Sequence, residues 1–281
     1  MSQFMILREA DQKYRIVFAV HHALWDKMSS LVLEDQIQSY LDGKKVVNHL
    51  PYAHYVASLN HEIVDVQVQG IKCSFVKLLQ TYTLATQDNP ILKLESSCLK
   101  LPDNLYENYH QLNIWDLLVH LVRVIAQENG LLTSQIKEIP IQIVQEGRNK
   151  LATDYSQSLG LFVDFAPLSI SNEEDQQSAS MTHRISYLDC LKKKNNLLWQ
   201  EVFEAYSNEL NAVLLVNYLG IYDVDFERMK KVMTNHLDLK AREITVTRHD
   251  DYLLVIYPVF QNTSNRIKQK LQEKINAYVH M

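Results

Sequence analysis

Two imidazoles and a carboxylate stand close together near the start of the sequence. They are His21, His22 and Asp26, within the stretch YRIVFAVHHALWDKMSSLVLEDQ from Tyr14 to Gln36. A neutral imidazole, with an ordinary pKa of about 6.5, can accept or hold a proton near neutral pH. If the apolar run YRIVFAV is a strand, successive side chains point to opposite faces. His21 and His22 therefore cannot both bind one metal or both reach one substrate, and no metal site follows from them. One faces a site and the other the interior or a neighbouring layer. Asp26 falls where the strand gives way to a helix. There it can cap the helix N-terminus, meet a buried arginine or orient an imidazole. Two core histidines and a helix cap form the plain alternative.

The remainder of the sequence limits the chemistry. A chain of 281 residues with 47% hydrophobic and 22% charged residues has ordinary globular composition and room for one large or two modest domains. A formal net charge of -5 gives no electrostatic footprint for nucleic acid. Cys73, Cys98 and Cys190 lie far apart, in no metal or redox spacing, and read as reduced thiols of a cytoplasmic protein. The opening MSQFMILREADQKYR is broken by charges, and no apolar run reaches the roughly 18 residues of a membrane span. Neither a targeting segment nor a membrane role is expected. The six glycines assemble no phosphate-binding loop, which removes Walker-type and dinucleotide-binding enzymes.

The elements that must position the histidines follow from pattern. YRIVFAV reads as a strand, and MSSLVLEDQIQSYL as a helix whose apolar stripe is Leu33, Ile37, Tyr40 and Leu41, closed by Gly43. PYAHYVASLNHEIVD is expected to be helical. NIWDLLVHLVRVIAQENG is a helix with Ile114, Leu118, Leu121 and Ile125 inward and Gly130 at its end. IPIQIVQEGRN, LGLFVDFAPLSI and NAVLLVNYLGIYD read as strands, and REITVTRHDDYLLVIYPV as a hairpin turning at His249 to Asp251. SNEEDQQSASMTHR reads as a polar loop and YLDCLKKKNNLLWQEVFEAYSNEL as a helix. The last helix, NRIKQKLQEKINAYVHM, buries Ile267, Leu271, Ile275 and Tyr278. Helices alternating with strands predict an α/β fold, a two-layer α+β sandwich.

Placed between a strand and a helix, HHALWD resembles the HHxxxDG signature of the condensation domains of nonribosomal peptide synthetases, relatives of chloramphenicol acetyltransferase. Further matches come in the same order. QEGRN at Gln145 to Asn149 resembles that family's Gly-Arg strand end, SLGLFVDFAPLSI its GxFxNxxPxR segment, and VLLVNYLG at Val213 to Gly220 its late NYLG strand. The resemblance implies a chloramphenicol-acetyltransferase-like lobe with most of the first lobe missing. Residues 1–48 would be a remnant of the first lobe, 49–104 a connecting segment and 105–281 the second lobe.

The resemblance also implies a function: amide bond formation between thioester substrates carried on the phosphopantetheine of carrier proteins. No cofactor would be bound directly. His22 would face the tunnel as the catalytic group, His21 would support the loop, and Asp26 would fix it through an arginine, for which Arg148 is a candidate. Asn217 and Tyr218 could line the tunnel. Lys27 departs from the signature, because glycine follows the aspartate in the family, and it sets a long cation at the tunnel mouth. The implied partners are a carrier protein and a complementary N-terminal lobe, or self-association. Two other readings share the fold: an epimerization-type domain, and a non-catalytic module that binds a carrier protein or a partner lobe.

Overall fold

The computed structural model describes residues 2–9, 13–21, 24–46, 49–59, 75–83, 91–102, 114–146, 148, 153–172, 205–210, 213–221, 242–249, 251–260 and 264–278. The chain forms two compact units. The first comprises Met1–Val64, Glu146–Asp164 and Lys192–Leu197, and the second Asp65–Gln145, Phe165–Leu191 and Leu198–Met281.

In the first unit, β1 (Ser2–Arg8) and β2 (Tyr14–Val20) form a two-stranded antiparallel sheet, registered from Ser2 opposite Val20 to Arg8 opposite Tyr14. Two helices follow, α1 (Lys27–Leu41) and α2 (Tyr52–Leu59). Gly43 ends α1 with φ 72°, a left-handed conformation that costs glycine nothing. The buried face of α1 differs from the expected stripe. Ser29 and Val32 are buried, whereas Tyr40 and Leu41 are largely exposed. The apolar spacing located a helix correctly, but the buried contacts gather on its first two turns and leave the last one in solvent.

The second unit holds a helix over 75–83 (α3), then β3 (Lys93–Lys100), α4 (Ile114–Glu128) and β4 (Glu138–Glu146). They are followed by β5 (Val163–Ser171), α5 (Ser207–Leu210) and β6 (Leu214–Ile221). The hairpin β7 (Glu243–His249) and β8 (Tyr252–Val259) and the helix α6 (Ser264–Tyr278) complete it. The six-stranded sheet runs β3-β8-β7-β6-β4-β5. It is mixed: β3–β8 and β7–β8 are antiparallel, β6–β7 and β4–β6 parallel. β3 falls inside the segment read from sequence as a connection; here it is an edge strand.

β8 is apolar on both faces and buried along almost its whole length. A strand covered on both faces carries such a continuous run. α6 packs against α4 and β3 through Ile267, Leu271 and Ile275, all fully buried, as its spacing predicts. Leu118, Leu121 and Ile125 form the inward stripe of α4, and Gly130 closes it at φ 70°. Beyond the apolar core, Asn129 donates to the Pro258 carbonyl and accepts from the Phe260 amide, pinning the α4 terminus to the end of β8. The architecture is α/β, a mixed sheet with helices packed on it. The polar loop read over 171–184 and the helix read over 187–210 lie mostly outside the described residues, and α5 is the last turn of that helix.

Candidate functional site

Asp26 is the N-cap of α1. Its backbone is extended, at φ -115° and ψ 174°, and its Oδ1 accepts the Ser29 amide at 2.8 Å. This is ordinary capping geometry: the side chain satisfies a donor that the first turn of a helix leaves open. The carboxylate does more than cap. Arg148 Nη1 donates to Oδ2 at 2.8 Å and Nη2 to Oδ1 at 2.9 Å, and the Phe162 amide donates to Oδ2 at 2.8 Å. Four donors fill the four lone-pair positions of the carboxylate.

Asp26 is 5% exposed and Arg148 1%. Burial pushes the Asp26 carboxyl up. The Arg148 hydrogen bonds, the Ser29 and Phe162 amides and the Arg148 charge outweigh it and hold the group below its ordinary value. A carboxylate with every lone pair engaged, held ionised, has no position from which to act as a general base. Its role is architectural.

Arg148 reaches further. Its Nη2 also donates to Ser29 Oγ at 2.8 Å and to the Ser158 carbonyl at 3.2 Å, and its guanidinium lies 4.2 Å from the centroid of the Phe162 ring. Ser29 Oγ in turn donates to the Gly160 carbonyl at 2.7 Å and accepts the Gly160 amide at 2.9 Å. Gly160 admits no side chain. A Cβ there would sit 2.6 Å from two atoms of the Tyr52 ring, at a backbone φ of 158°. Behind this node Tyr55, Tyr155 and Phe162 form a small aromatic cluster, with Tyr52 against it and Tyr155 Oη 2.7 Å from His54 Nδ1. Burial, then the Asp26 charge, pushes the Tyr52 phenol up.

His21 follows β2 directly, and residues 24–26 lead into α1. The Leu24 amide donates to the His21 carbonyl at 2.9 Å, and Trp25 rests edge-on against Phe18 at 5.2 Å. The His21 side chain is exposed rather than packed inside, so the support it gives in the first unit includes this backbone bond. His22 lies outside the described residues. Lys27 is the first residue of α1, in helical geometry and half-buried, and burial pushes its ammonium down.

The structure brings Asp26 and Arg148 together, 122 residues apart in sequence. Asn217 and Tyr218 belong to β6 of the second unit. Asn217 donates to Glu243 Oε1 at 3.0 Å, and Tyr218 packs half-buried against that unit's core. Ser29, Gly160, Phe162 and Tyr52 complete the node; Gly160 and Phe162 are the glycine and phenylalanine of the segment that resembles GxFxNxxPxR, whereas Ser29 and Tyr52 belong to none of the motifs. For Ser29 the signal available was a serine at the start of a helix, which commonly only caps. Among the described residues, no three His, Cys, Asp or Glu side chains gather as a metal site, and no helix is long and apolar enough to cross a membrane.

No family model matches the sequence, and neither does any curated protein. Solved structures do. The condensation domain that mediates chain release from the enacyloxin polyketide synthase is similar over 99% of this chain and 60% of its own, at TM-score 0.61 and 10% identity. A structure described as that of CT is similar over 99% of this chain and 65% of its own, at TM-score 0.56 and 14% identity. The epimerization domain from the third module of tyrocidine synthetase B is similar over 95% and 69%, at TM-score 0.54 and 11% identity. This chain thus spans less than two thirds of the first two. Likeness at such identities is one of fold.

Proposed function

Starting from the condensation-domain fold of this chain, we propose that it is the acyltransferase half of a condensation domain, forming amide bonds between carrier-bound thioester substrates. One observation carries the reading. The HHxxxD motif, the Gly-Arg segment at Arg148 and the GLF segment at Phe162 converge on a single carboxylate, Asp26. Three stretches that resemble separate motifs of one family are thus tied together, and what they hold is the start of α1, which follows the two histidines in sequence.

The chemistry follows from those histidines. The acceptor amine attacks the carbonyl carbon of the donor thioester. The new C–N bond forms, the C–S bond breaks, and the amine's proton passes to the leaving thiolate. His22 is the group that accepts the proton or holds the amine while charge develops. Both substrates arrive on phosphopantetheine arms, so a carrier protein is the partner, and no cofactor is bound directly.

A complementary lobe belongs to the same reading. β1 and β2 expose Phe4, Ile6, Ile16 and Phe18 on one face and Met5, Leu7 and Val17 on the other. A two-stranded hairpin is marginal alone, and a strand apolar on both faces is one that expects cover on both. Self-association is the alternative cover. The epimerization reading keeps a place because a domain of that kind is among the similar folds. So does a binding module without turnover.

The test supplies the completed protein with two carrier-bound aminoacyl thioesters and follows the carrier arms by mass spectrometry. Dipeptide should form, and His22→Ala should slow it by about 10²–10⁴-fold with the circular dichroism unchanged. Solvent deuterium entering the α-carbon with no dipeptide would replace this reading with epimerization. Carrier binding with neither product would leave a binding module.

A further inference from the structure

We infer that Ser29 is a positioning residue of this site, the hydroxyl that locks residues 158–162 onto the start of α1, just after the histidines in sequence. That those histidines are catalytic rests on the acyl-transfer reading above; the lock itself does not. A serine at the start of a helix ordinarily caps it, but here the cap is Asp26, and the Ser29 hydroxyl is directed elsewhere. Ser30 shows the contrast: its Oγ accepts a local bond from Trp25 Nε1 at 2.9 Å. The Ser29 hydroxyl bonds across 131 residues to both backbone groups of one peptide position, the amide and the carbonyl of Gly160.

A hydroxyl has one proton to give and two lone pairs. At Ser29 all three are used: the proton goes to the Gly160 carbonyl, one lone pair to the Gly160 amide and the other to Arg148 Nη2. The side chain is fully buried, so no water stands ready to replace it. Alanine would strand a buried amide and carbonyl and take one acceptor from the guanidinium. Cysteine would restore little, because sulfur is a weak donor and acceptor. From the other side, the Tyr52 ring lies against Gly160 so closely that only glycine fits. Gly160 is therefore gripped between a hydroxyl and a ring.

What the grip controls lies two residues on. Phe162 gives its amide to Asp26 Oδ2 and its ring face to Arg148. If Gly160 is released, the Phe162 amide loses its fixed aim at the carboxylate. A substitution at Ser29 is thus read at Asp26, although the Ser29 hydroxyl makes its hydrogen bonds with Gly160 and Arg148 and not with the Asp26 carboxylate.

The full chain is compared with Ser29→Ala by NMR and amide exchange, with Ser30→Ala as the control. In Ser29→Ala the Asp26 carboxyl should titrate higher than in the wild type, and the Gly160 and Phe162 amides should exchange about tenfold faster or more. Ser30→Ala should change neither. An Asp26 titration and Gly160 exchange unaltered in Ser29→Ala, with only a lower melting temperature, would overturn the inference. Where Ser29→Ala does not fold, the wild type decides. The Gly160 amide, outside any helix or strand, should be protected like the amides of α1, and exchange at a free-loop rate would overturn the inference. No readout here uses a substrate. Failure of acyl transfer with Gly160 protected removes the functional reading alone.

Discussion

In the second unit the core is mainly aliphatic, with Phe75, Tyr82, Tyr257 and Phe260 set in it and Glu128 paired with Arg266 and Lys270 at its border. Leu253, Val255 and Val246 lie in the sheet, and Leu121, Ile125, Leu271 and Ile275 come from the helices beside it. In the first unit a carboxylate, a hydroxyl and a guanidinium, from Asp26, Ser29 and Arg148, are buried together, and among the described residues Tyr55, Tyr155 and Phe162 form the buried hydrophobic cluster beside them. Apolar burial has no direction, so the first kind of interior tolerates a change of shape at constant volume. A saturated polar node is directional throughout, and exchange of one atom can reverse a bond into a repulsion. The same contrast separates the two hairpins. β2 and β8 are similarly apolar in sequence, yet β2 is exposed along nearly all its length and β8 is buried.

The largest effect should come from Asp26→Asn. The amide nitrogen must face two donors, either Arg148 Nη2 with the Ser29 amide or Arg148 Nη1 with the Phe162 amide. The guanidinium also loses its counter-charge. Breaking a buried ion pair by altering one partner costs about 3–5 kcal/mol. Leu271→Met, a volume-conserving change in the aliphatic interior, should cost less than about 1.5 kcal/mol. Urea denaturation followed by exchange in peptides from α1 and from β8 reads each unit separately. Asp26→Asn should expose α1 at low urea while β8 stays protected. Equal costs for the two substitutions would erase the contrast drawn here.

An intermediate effect is expected from acid. The folded Asp26 carboxyl titrates below its ordinary value, so over the interval between the two the unfolded chain binds more protons. The stability it contributes is fully present above the unfolded value of about 3.9 and is lost as pH falls through the folded one. Peptides of α1 should therefore lose protection below about pH 4 before peptides of β8 do. In Asp26→Asn the acid step in α1 should flatten. Simultaneous loss in both units would assign the acid response to carboxylates other than Asp26.

Much of the second unit was legible in advance, because its elements are long and periodic. Gly130, at φ 70°, closes α4, and the two apolar runs on either side of His249 and Tyr252 pair as a hairpin. Asp26 and Arg148 were legible as a candidate pair because the family that the motifs resemble fixes this aspartate through an arginine, and Arg148 stands in a second of those motifs. Ser29 was not. Its bonds run to a backbone position 131 residues away, and no spacing rule encodes such a partner. The burial of α1 was misread for a related reason. A helical stripe states which residues share a face, not where along the helix the neighbour stops, and Tyr40 and Leu41 lie past that point. The strand β1 went unrecognised because the charges near its end broke the apolar run.

The smallest effect concerns Lys27, where the family signature has glycine. Glycine at such a position suggests a backbone that a side chain would strain, so restoring it could be expected to relax the turn. The structure argues otherwise. Lys27 opens α1 directly after its N-cap, in helical geometry that needs no glycine at a first helical position. Glycine gains nothing there and loses about 0.5–1 kcal/mol relative to alanine through the freedom of the unfolded chain. The lysine ammonium is also disfavoured by partial burial and by the positive end of the helix dipole. Lys27→Ala should therefore leave stability unchanged or raise it by a few tenths of a kcal/mol, with Lys27→Gly below it. Any gain in acyl transfer should be at least as large with alanine as with glycine, since both remove the cation and only one loosens the turn. Urea midpoints and single-turnover rates for the two variants check this. A gain with glycine alone would show that the turn needs a backbone conformation other than the helical one, and would separate it from the rigid node to which Asp26 binds it.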